Sequence, residues 1–324
     1  MAHAIEAINL KKSYDGHTAV DGVTFTVEEG SVFGLLGPNG AGKTTTIRML
    51  TGLIKPNSGK ALVLGRDMAS DPIQAKASIG VVPEASNIYE EMTARDNLIF
   101  SAELYSVPKA MRKSRADELL KEFRLDDRAG DIVQGFSRGM KRRLTIACAL
   151  IHKPKLLFLD EPTTGLDVQS ARQLREQVRR LNGEGVTVLL TTHYLEEADQ
   201  LCNKIAMITH GKLVTIDSPE NLKACVTGEH VVEVSFSTTV PEEELAALRD
   251  VVEVHRLGDK YRLTYTGGDP VGGLVDYARS NEVNIVSLNT LKPSLEDAFL
   301  KLTGLAPEEV RKDKEPQRQR RNDG

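Results

Sequence analysis

From Ile5 to about Ala224, short apolar runs rich in β-branched residues alternate with longer stretches of helical periodicity, and turn residues lie between them. That alternation predicts an α/β domain built on a mostly parallel sheet. The expected strands are Ala4 to Leu10, Val23 to Val27, Ser31 to Leu36, Ile79 to Val82, Leu156 to Leu159, Thr187 to Thr191, Ile205 to Thr209 and Lys212 to Asp217. Their middles are apolar on both faces, which suits buried strands. The stretch 86–151 breaks this rhythm: it holds three helical runs, beginning near Thr93, Lys109 and Ser137, and almost no strand-like run. It reads as an inserted helical subdomain. In its last run Met140, Leu144, Ala147, Cys148 and Ile151 recur at spacings of three and four, so one face packs, while Lys141, Arg142 and Arg143 turn elsewhere.

A composition break near Val226 to His230 closes this first domain, expected over residues 1–227. Beyond it the order becomes strand (Val231 to Phe236), helix (Glu242 to Leu248), hairpin (Val251 to Thr266), helix (Val271 to Arg279) and strand (Val283 to Asn289). A βαββαβ series fits a small α+β domain of ferredoxin-like type over 228–304, with a last helix from Ser294 to Leu302. Residues 305–324 are charged and Pro-containing, and are expected to be a disordered tail. Its Lys and Arg residues offer a weak contact to anionic lipid, which the interspersed acids oppose.

Composition narrows the function. The 324 residues suggest about two domains, and 42 Lys plus Arg against 46 Asp plus Glu leave a net charge of −4. No global basic field exists for nucleic acid, so none is expected as a partner. Cys148, Cys202 and Cys225 form no Cys-x-x-Cys pair and read as reduced thiols of a cytosolic chain, without a zinc site. The first ten residues lack the order of a secretion signal, and no apolar run approaches the roughly 18 to 20 residues of a membrane-spanning helix.

The strongest chemical signal is Gly37-Pro38-Asn39-Gly40-Ala41-Gly42-Lys43-Thr44, placed directly after an apolar strand and before the helical Thr45 to Leu50. This is the strand, loop and helix context of a phosphate-binding P-loop. Glycines at 37, 40 and 42 let the backbone curl so that N–H groups converge on phosphate oxygens at a helix N-terminus. Lys43 can reach the β- and γ-phosphates of a nucleoside triphosphate, and Thr44 can ligate Mg²⁺. A second signal is Leu156-Leu157-Phe158-Leu159-Asp160-Glu161, an apolar strand ending in two carboxylates. Strand alternation points them in different directions, so Asp160 is expected to hold Mg²⁺ and Glu161 to orient and deprotonate a water.

Together with these, Phe136-Ser137-Arg138-Gly139-Met140, Thr164-Gly165-Leu166-Asp167 and Thr191-Thr192-His193 stand in a spacing, 23 residues from 137 to 160 and 32 from 161 to 193, that resembles an ABC-transporter ATP-binding subunit. The resemblance covers residues 4 to about 225. It implies a P-loop NTPase fold and a head-to-tail pair of ATPase subunits, with ATP between the P-loop of one and the Ser137 to Gly139 segment of the other. Ser137 opens a helix, so its hydroxyl and the first N–H groups suit a γ-phosphate lying across an interface. The resemblance further implies that Tyr14 stacks on adenine, that Asp167 senses the partner, and that His193 contacts the γ-phosphate and holds the attacking water. It implies a separate transmembrane permease, which inserts a short helix near Asn87 to Met92, and a place at the cytoplasmic face of the cell membrane. Ile88, Tyr89 and Met92 read equally well as subdomain core.

Two departures stand out. The family's usual Leu-Ser-Gly-Gly-Gln is altered by Arg138 and Met140, although Ser137 and Gly139 remain; Arg138 is expected to add a cation near the second ATP. At Val82-Pro83-Glu84 the family usually has Gln, and Glu84 is expected to keep the role of linking the Mg²⁺ site to the permease. Phe136 to Met140, Thr192 to Asp199 and Leu295 to Gly304 resemble prokaryotic drug and antibiotic exporters of the daunorubicin-resistance type. The alternatives are a soluble ABC ATPase acting on ribosomes or DNA, and an ATP-binding regulator. Against the first, 93 residues separate Thr44 from Ser137 without a heptad run; against the second stand Glu161 and His193.

Overall fold

A computed structural model describes residues 2–226, 229–266, 270–291 and 293–305. Its contacts divide the chain into two units, one reaching Pro219 and the other running from Glu220 to Gly304. In the first unit the order is β1 (His3–Tyr14), β2 (His17–Glu28), β3 (Val32–Leu36), α1 (Lys43–Leu50), β4 (Ser58–Val63), β5 (Arg66–Asp67), α2 (Pro72–Lys76), β6 (Ile79–Val82), α3 (Ala94–Leu104) and α4 (Lys109–Glu122). Then follow α5 (Arg138–Leu150), β7 (Leu156–Asp160), α6 (Val168–Gly183), β8 (Thr187–Thr192), α7 (Leu195–Leu201), β9 (Lys204–Thr209) and β10 (Lys212–Asp217).

The expected single sheet is two sheets. β3, β6, β7, β8 and β9 are parallel to their neighbours in a six-stranded sheet of order β10-β9-β3-β8-β7-β6, with β10 antiparallel at one edge. β1 and β2 instead join β4 and β5 in an antiparallel sheet, order β2-β1-β4-β5. The burial of β1 shows why: Ile5, Ala7 and Leu10 are buried, whereas Ile8 is 42% exposed, the alternation of a sheet with one wet face rather than two dry ones. β4 escapes the sequence pattern because its first half, Ser58-Gly59-Lys60, is exposed and polar. Both sheets contribute to one core, in which Phe25 of β2 stacks on Phe33 of β3 with ring centroids 5.2 Å apart, and Ile47 of α1, Phe158 of β7 and Leu189 of β8 join it. The strands that carry the P-loop and the two carboxylates are thus buried on both faces, and their C-terminal ends lie along one edge.

The three helices expected between 86 and 151 begin where the sequence places them. Thr93 caps α3, its Oγ1 accepting from Asp96 N at 3.1 Å, Pro108 precedes α4, and Ser137 caps α5.

The second unit starts within α8 (Pro219–Ala224), so the division falls at Pro219/Glu220 rather than at the expected 227/228. It continues as β11 (Glu229–Phe236), α9 (Glu242–Ala246), β12 (Val251–Leu257), β13 (Lys260–Thr266), α10 (Pro270–Ser280), β14 (Ile285–Leu291) and α11 (Leu295–Thr303). The strand order β12-β13-β11-β14, antiparallel throughout, places β13 between β11 and β12 and β11 between β13 and β14. These are two split βαβ units, the ferredoxin-like arrangement. Its core gathers Val232, Val234, Leu245, Leu263, Tyr265 and Leu274. The expectations for the charged tail fall outside the described residues beyond Leu305.

Candidate functional site

β3 delivers the chain to the loop at Gly37, and α1 takes it up again at Lys43. The three glycines serve different ends. A Cβ on Gly37 would stand 2.2 Å from the Ile208 carbonyl oxygen, and one on Gly42 would stand 2.4 Å from that of Ala19, so protein packing already demands glycine at both. The curl of the loop requires glycine at two positions: φ is left-handed at Gly42, 102°, and at Gly40, 78°, where a Cβ would meet nothing within 4 Å. No side chain caps α1, which leaves its first N–H groups for an anion. The Lys43 ammonium is 5% exposed and folds back over the loop, donating to the carbonyls of Gly37 at 2.7 Å and Pro38 at 3.1 Å.

The third partner of Lys43 is Glu161, whose Oε1 lies 3.1 Å from Nζ. Oε2 of the same carboxylate accepts from Thr164 Oγ1 at 3.2 Å and lies 2.8 Å from His193 Nδ1. With a carboxylate as acceptor, that contact places a proton on Nδ1. Burial pushes the Glu161 carboxyl up, and the His193 hydrogen bond with the Lys43 charge more than offsets it, holding Glu161 below the ordinary carboxylate range. Asp160 Oδ1 accepts from Thr191 Oγ1 at 2.6 Å and from Thr44 Oγ1 at 3.2 Å. The two carboxylates diverge for a reason that strand alternation does not supply. β7 ends at Asp160, and Glu161 leaves it with φ of 46°, pinned by its N–H donating to Thr191 Oγ1 at 2.9 Å.

Lys43, Thr44, Glu161 and His193 line a cavity of about 670 Å³ together with Tyr14, Asn39 through Gly42, Thr45 and Glu84, whereas Gly37, Pro38 and Asp160 are not in its lining. Tyr14 sits at the β1–β2 hairpin, paired with His17, and the Lys12 ammonium lies 5.3 Å from its ring centroid. His17 and Tyr194 also line the cavity and were not legible as site residues; Tyr194 packs on His193 with ring centroids 4.0 Å apart. Ser137, Gly139 and Asp167 do not line it. Ser137 Oγ accepts from Met140 N at 3.3 Å, and Asp167 caps α6 by accepting from Ser170 N and Oγ, each at 2.8 Å. Those bonds hold the exposed Asp167 below its ordinary value. Gly139 faces Ser170 so closely that a Cβ would stand 2.6 Å from the Ser170 hydroxyl. The Arg138 guanidinium lies beside Gly165 of the same chain.

A buried arginine corrects the sequence reading, and a buried glutamate adds to it. Arg142, expected on the outward face of α5, is 5% exposed and directed into the fold, where it donates to main-chain carbonyls. Glu197 on α7 is 2% exposed; the Thr192 and Thr163 hydroxyls flank its carboxylate without reaching full hydrogen-bond geometry, and burial pushes its titration up. Both sit in patterns that look ordinary, Arg142 in a Lys-Arg-Arg run and Glu197 in a Glu-Glu pair at a helix start, so no local signal marks them.

Residues 20–164 match the ABC transporter family. The chain is 39% identical over 306 residues to a linearmycin resistance ATP-binding protein of Bacillus subtilis, covering 93% of this chain and 98% of that one. It is 41% identical over 308 residues to a daunorubicin/doxorubicin resistance ATP-binding protein of Streptomyces peucetius, covering 93% and 92%. It is also 39% identical over 303 residues to a Nod factor export ATP-binding protein of Rhizobium sp., covering 93% and 97%. A solved ATP-binding subunit of an ABC transporter superposes with a TM-score of 0.63 at 32% identity, over 68% of this chain and 92% of that one. The family's ATP-binding subunits dimerise and work with membrane permeases. The strand-borne P-loop, the paired Lys43 and Glu161 and these relatives agree: the chain belongs to the ABC transporter family, as one of its ATP-binding, ATP-hydrolysing subunits.

Proposed function

We propose that this chain binds ATP with Mg²⁺ and drives a membrane permease that exports an antibiotic or another hydrophobic or polymeric cargo. The observation that carries the reading is the convergence of Lys43, Thr44, Glu161 and His193, drawn from three strand ends, on one cavity, with the buried Asp160 bonded to Thr44. The relatives that resist linearmycin and daunorubicin, or export Nod factors, support the cargo class. Among the described residues no helix is long and apolar enough to cross a membrane; the relatives, ATP-binding proteins of resistance and export systems, support a peripheral place at the cytoplasmic face, held by the permease.

In this reading Tyr14 stacks on adenine, and the N–H groups of the loop from Gly37 to Thr45 take the phosphates. The donors grouped here are oxygens, the hydroxyl of Thr44 and the Asp160 carboxylate bonded to it, with Glu84 lining the same cavity as Thr44. That hard donor set fits Mg²⁺. A bound Mg²⁺ would neutralise charge on the phosphoryl oxygens. Glu161 takes the proton of the attacking water, and His193, tied to it through Nδ1, orients that water. Ser137, Gly139 and Asp167, away from this cavity, face the nucleotide and subunit of a second copy. One solved neighbour, 24% identical, is a dimer in a post-hydrolysis state bound to ADP and Pi, which suits this geometry. The unit from Glu220 to Gly304 is an accessory domain that reinforces or regulates the dimer.

Co-expression with the permease tests the reading. Glu161→Gln is expected to slow ATP hydrolysis by about 10² to 10⁴-fold with ATP binding intact, and to abolish antibiotic export. Unchanged turnover removes Glu161 from the base role, and unchanged resistance with hydrolysis lost removes the export reading.

A further inference from the structure

Arg142 stands on the second turn of α5, five residues past Ser137, and its guanidinium serves four main-chain oxygens from two separate segments. Nε donates to Pro162 O at 2.9 Å and Nη2 to Asp160 O at 2.8 Å, so the pair brackets Glu161. Nη1 donates to Glu84 O at 3.2 Å and to Pro83 O. The ladder between β6 and β7 ends at Val82↔Leu159. Past that point the chain segments bearing Glu84 and Asp160 have no β-bond between them, and Arg142 is what joins them. Arg142 is itself buried, 5% exposed.

We infer that Arg142 is a positioning residue for the metal site, a guanidinium fork that sets the distance between Glu84 and the Asp160–Glu161 corner. Main-chain carbonyls cannot rearrange as side chains do, so four of them on one rigid, planar donor define a spacing. A lysine would keep the charge and lose the fork. The inference rests on the assignment of Thr44, Asp160 and Glu84 to Mg²⁺.

Equilibrium binding of a fluorescent, non-hydrolysable ATP analogue to the full chain, in EDTA and in saturating Mg²⁺, tests it without relying on turnover. Groups that orient metal ligands change metal affinity by about 10 to 100-fold, so Arg142→Met is expected to reduce the Mg²⁺-dependent gain in affinity by about tenfold. Affinity in EDTA should stay within about twofold of the wild type, since P-loop contacts are untouched. A residue that only packs would lower the melting temperature and leave the gain intact, and that result overturns the inference. A wild-type chain with no Mg²⁺-dependent gain sinks the metal assignment and the inference with it. If Arg142→Met does not fold, Arg142→Lys decides: a gain reduced by about threefold or more supports the fork, and a gain equal to the wild type overturns it.

Discussion

The Lys43 ammonium and the Glu161 carboxylate are partners, 3.1 Å apart with side chains 5% and 7% exposed, so the lysine of the phosphate loop and the candidate base neutralise each other across two strand ends. Neither charge is solvated. Each is therefore tolerated only because of the other and of the hydrogen bonds that surround the pair.

Lys43→Met should leave the Glu161 charge buried without its ammonium partner, and is expected to destabilise the first unit by about 3 kcal/mol in urea unfolding at neutral pH. Adding Glu161→Gln should recover most of that loss. A double variant no more stable than Lys43→Met would show that the two charges are not coupled.

Glu161 and Glu197 should respond to pH with opposite sign. Glu161 titrates below its ordinary value in the fold, so its stabilisation is complete above the ordinary carboxylate value and is lost as pH falls through the folded one. Glu197 titrates above its ordinary value because burial dominates, so its cost appears as pH rises through the ordinary value and levels off above the folded one. Thermal melts from pH 4 to pH 8 should show Glu197→Gln more stable than the wild type at neutral pH, with the advantage shrinking toward acid. Glu161→Gln should be less stable at neutral pH, and its deficit should shrink toward acid.

Gly139→Ala should strain the contact between α5 and α6, because its Cβ would enter the space of the Ser170 hydroxyl at 2.6 Å. Overpacking of this kind costs about 1 to 3 kcal/mol. Ser170→Ala in the same chain should regain part of it, measured as the shift in urea midpoint. If the second substitution regains nothing, the glycine serves only a ligand.

Ser137→Ala removes the cap of α5, for a cost of about 1 kcal/mol, and should leave the fold and the binding of ATP by the chain's own P-loop unchanged. ATP hydrolysis should nevertheless fall, because Ser137 belongs to the nucleotide of the second copy in the proposed dimer. Equal losses of binding and hydrolysis would place Ser137 in the chain's own site.

Local order alone carried much of this protein. A phosphate loop is a contiguous segment between a strand and a helix, and a helix start is a contiguous pairing of a capping side chain with nearby N–H groups. For that reason the loop from Gly37 to Thr44 and the starts of α3 and α5 at Thr93 and Ser137 were legible without a structure. The βαββαβ order of the second unit was legible for the same reason. Tertiary structure decided what depends on partners distant along the chain. It sent β1 and β2 to an antiparallel sheet with β4 and β5, because a strand's dry faces are defined by what packs on them. It bent the chain at Glu161 into a left-handed conformation that separates two adjacent carboxylates, and it turned Arg142 inward from a basic run onto carbonyls 18 to 59 residues away. Residue type and spacing name the groups that can do chemistry; only the packed fold decides which charges are buried against one another, since burial is a property of neighbours and not of sequence.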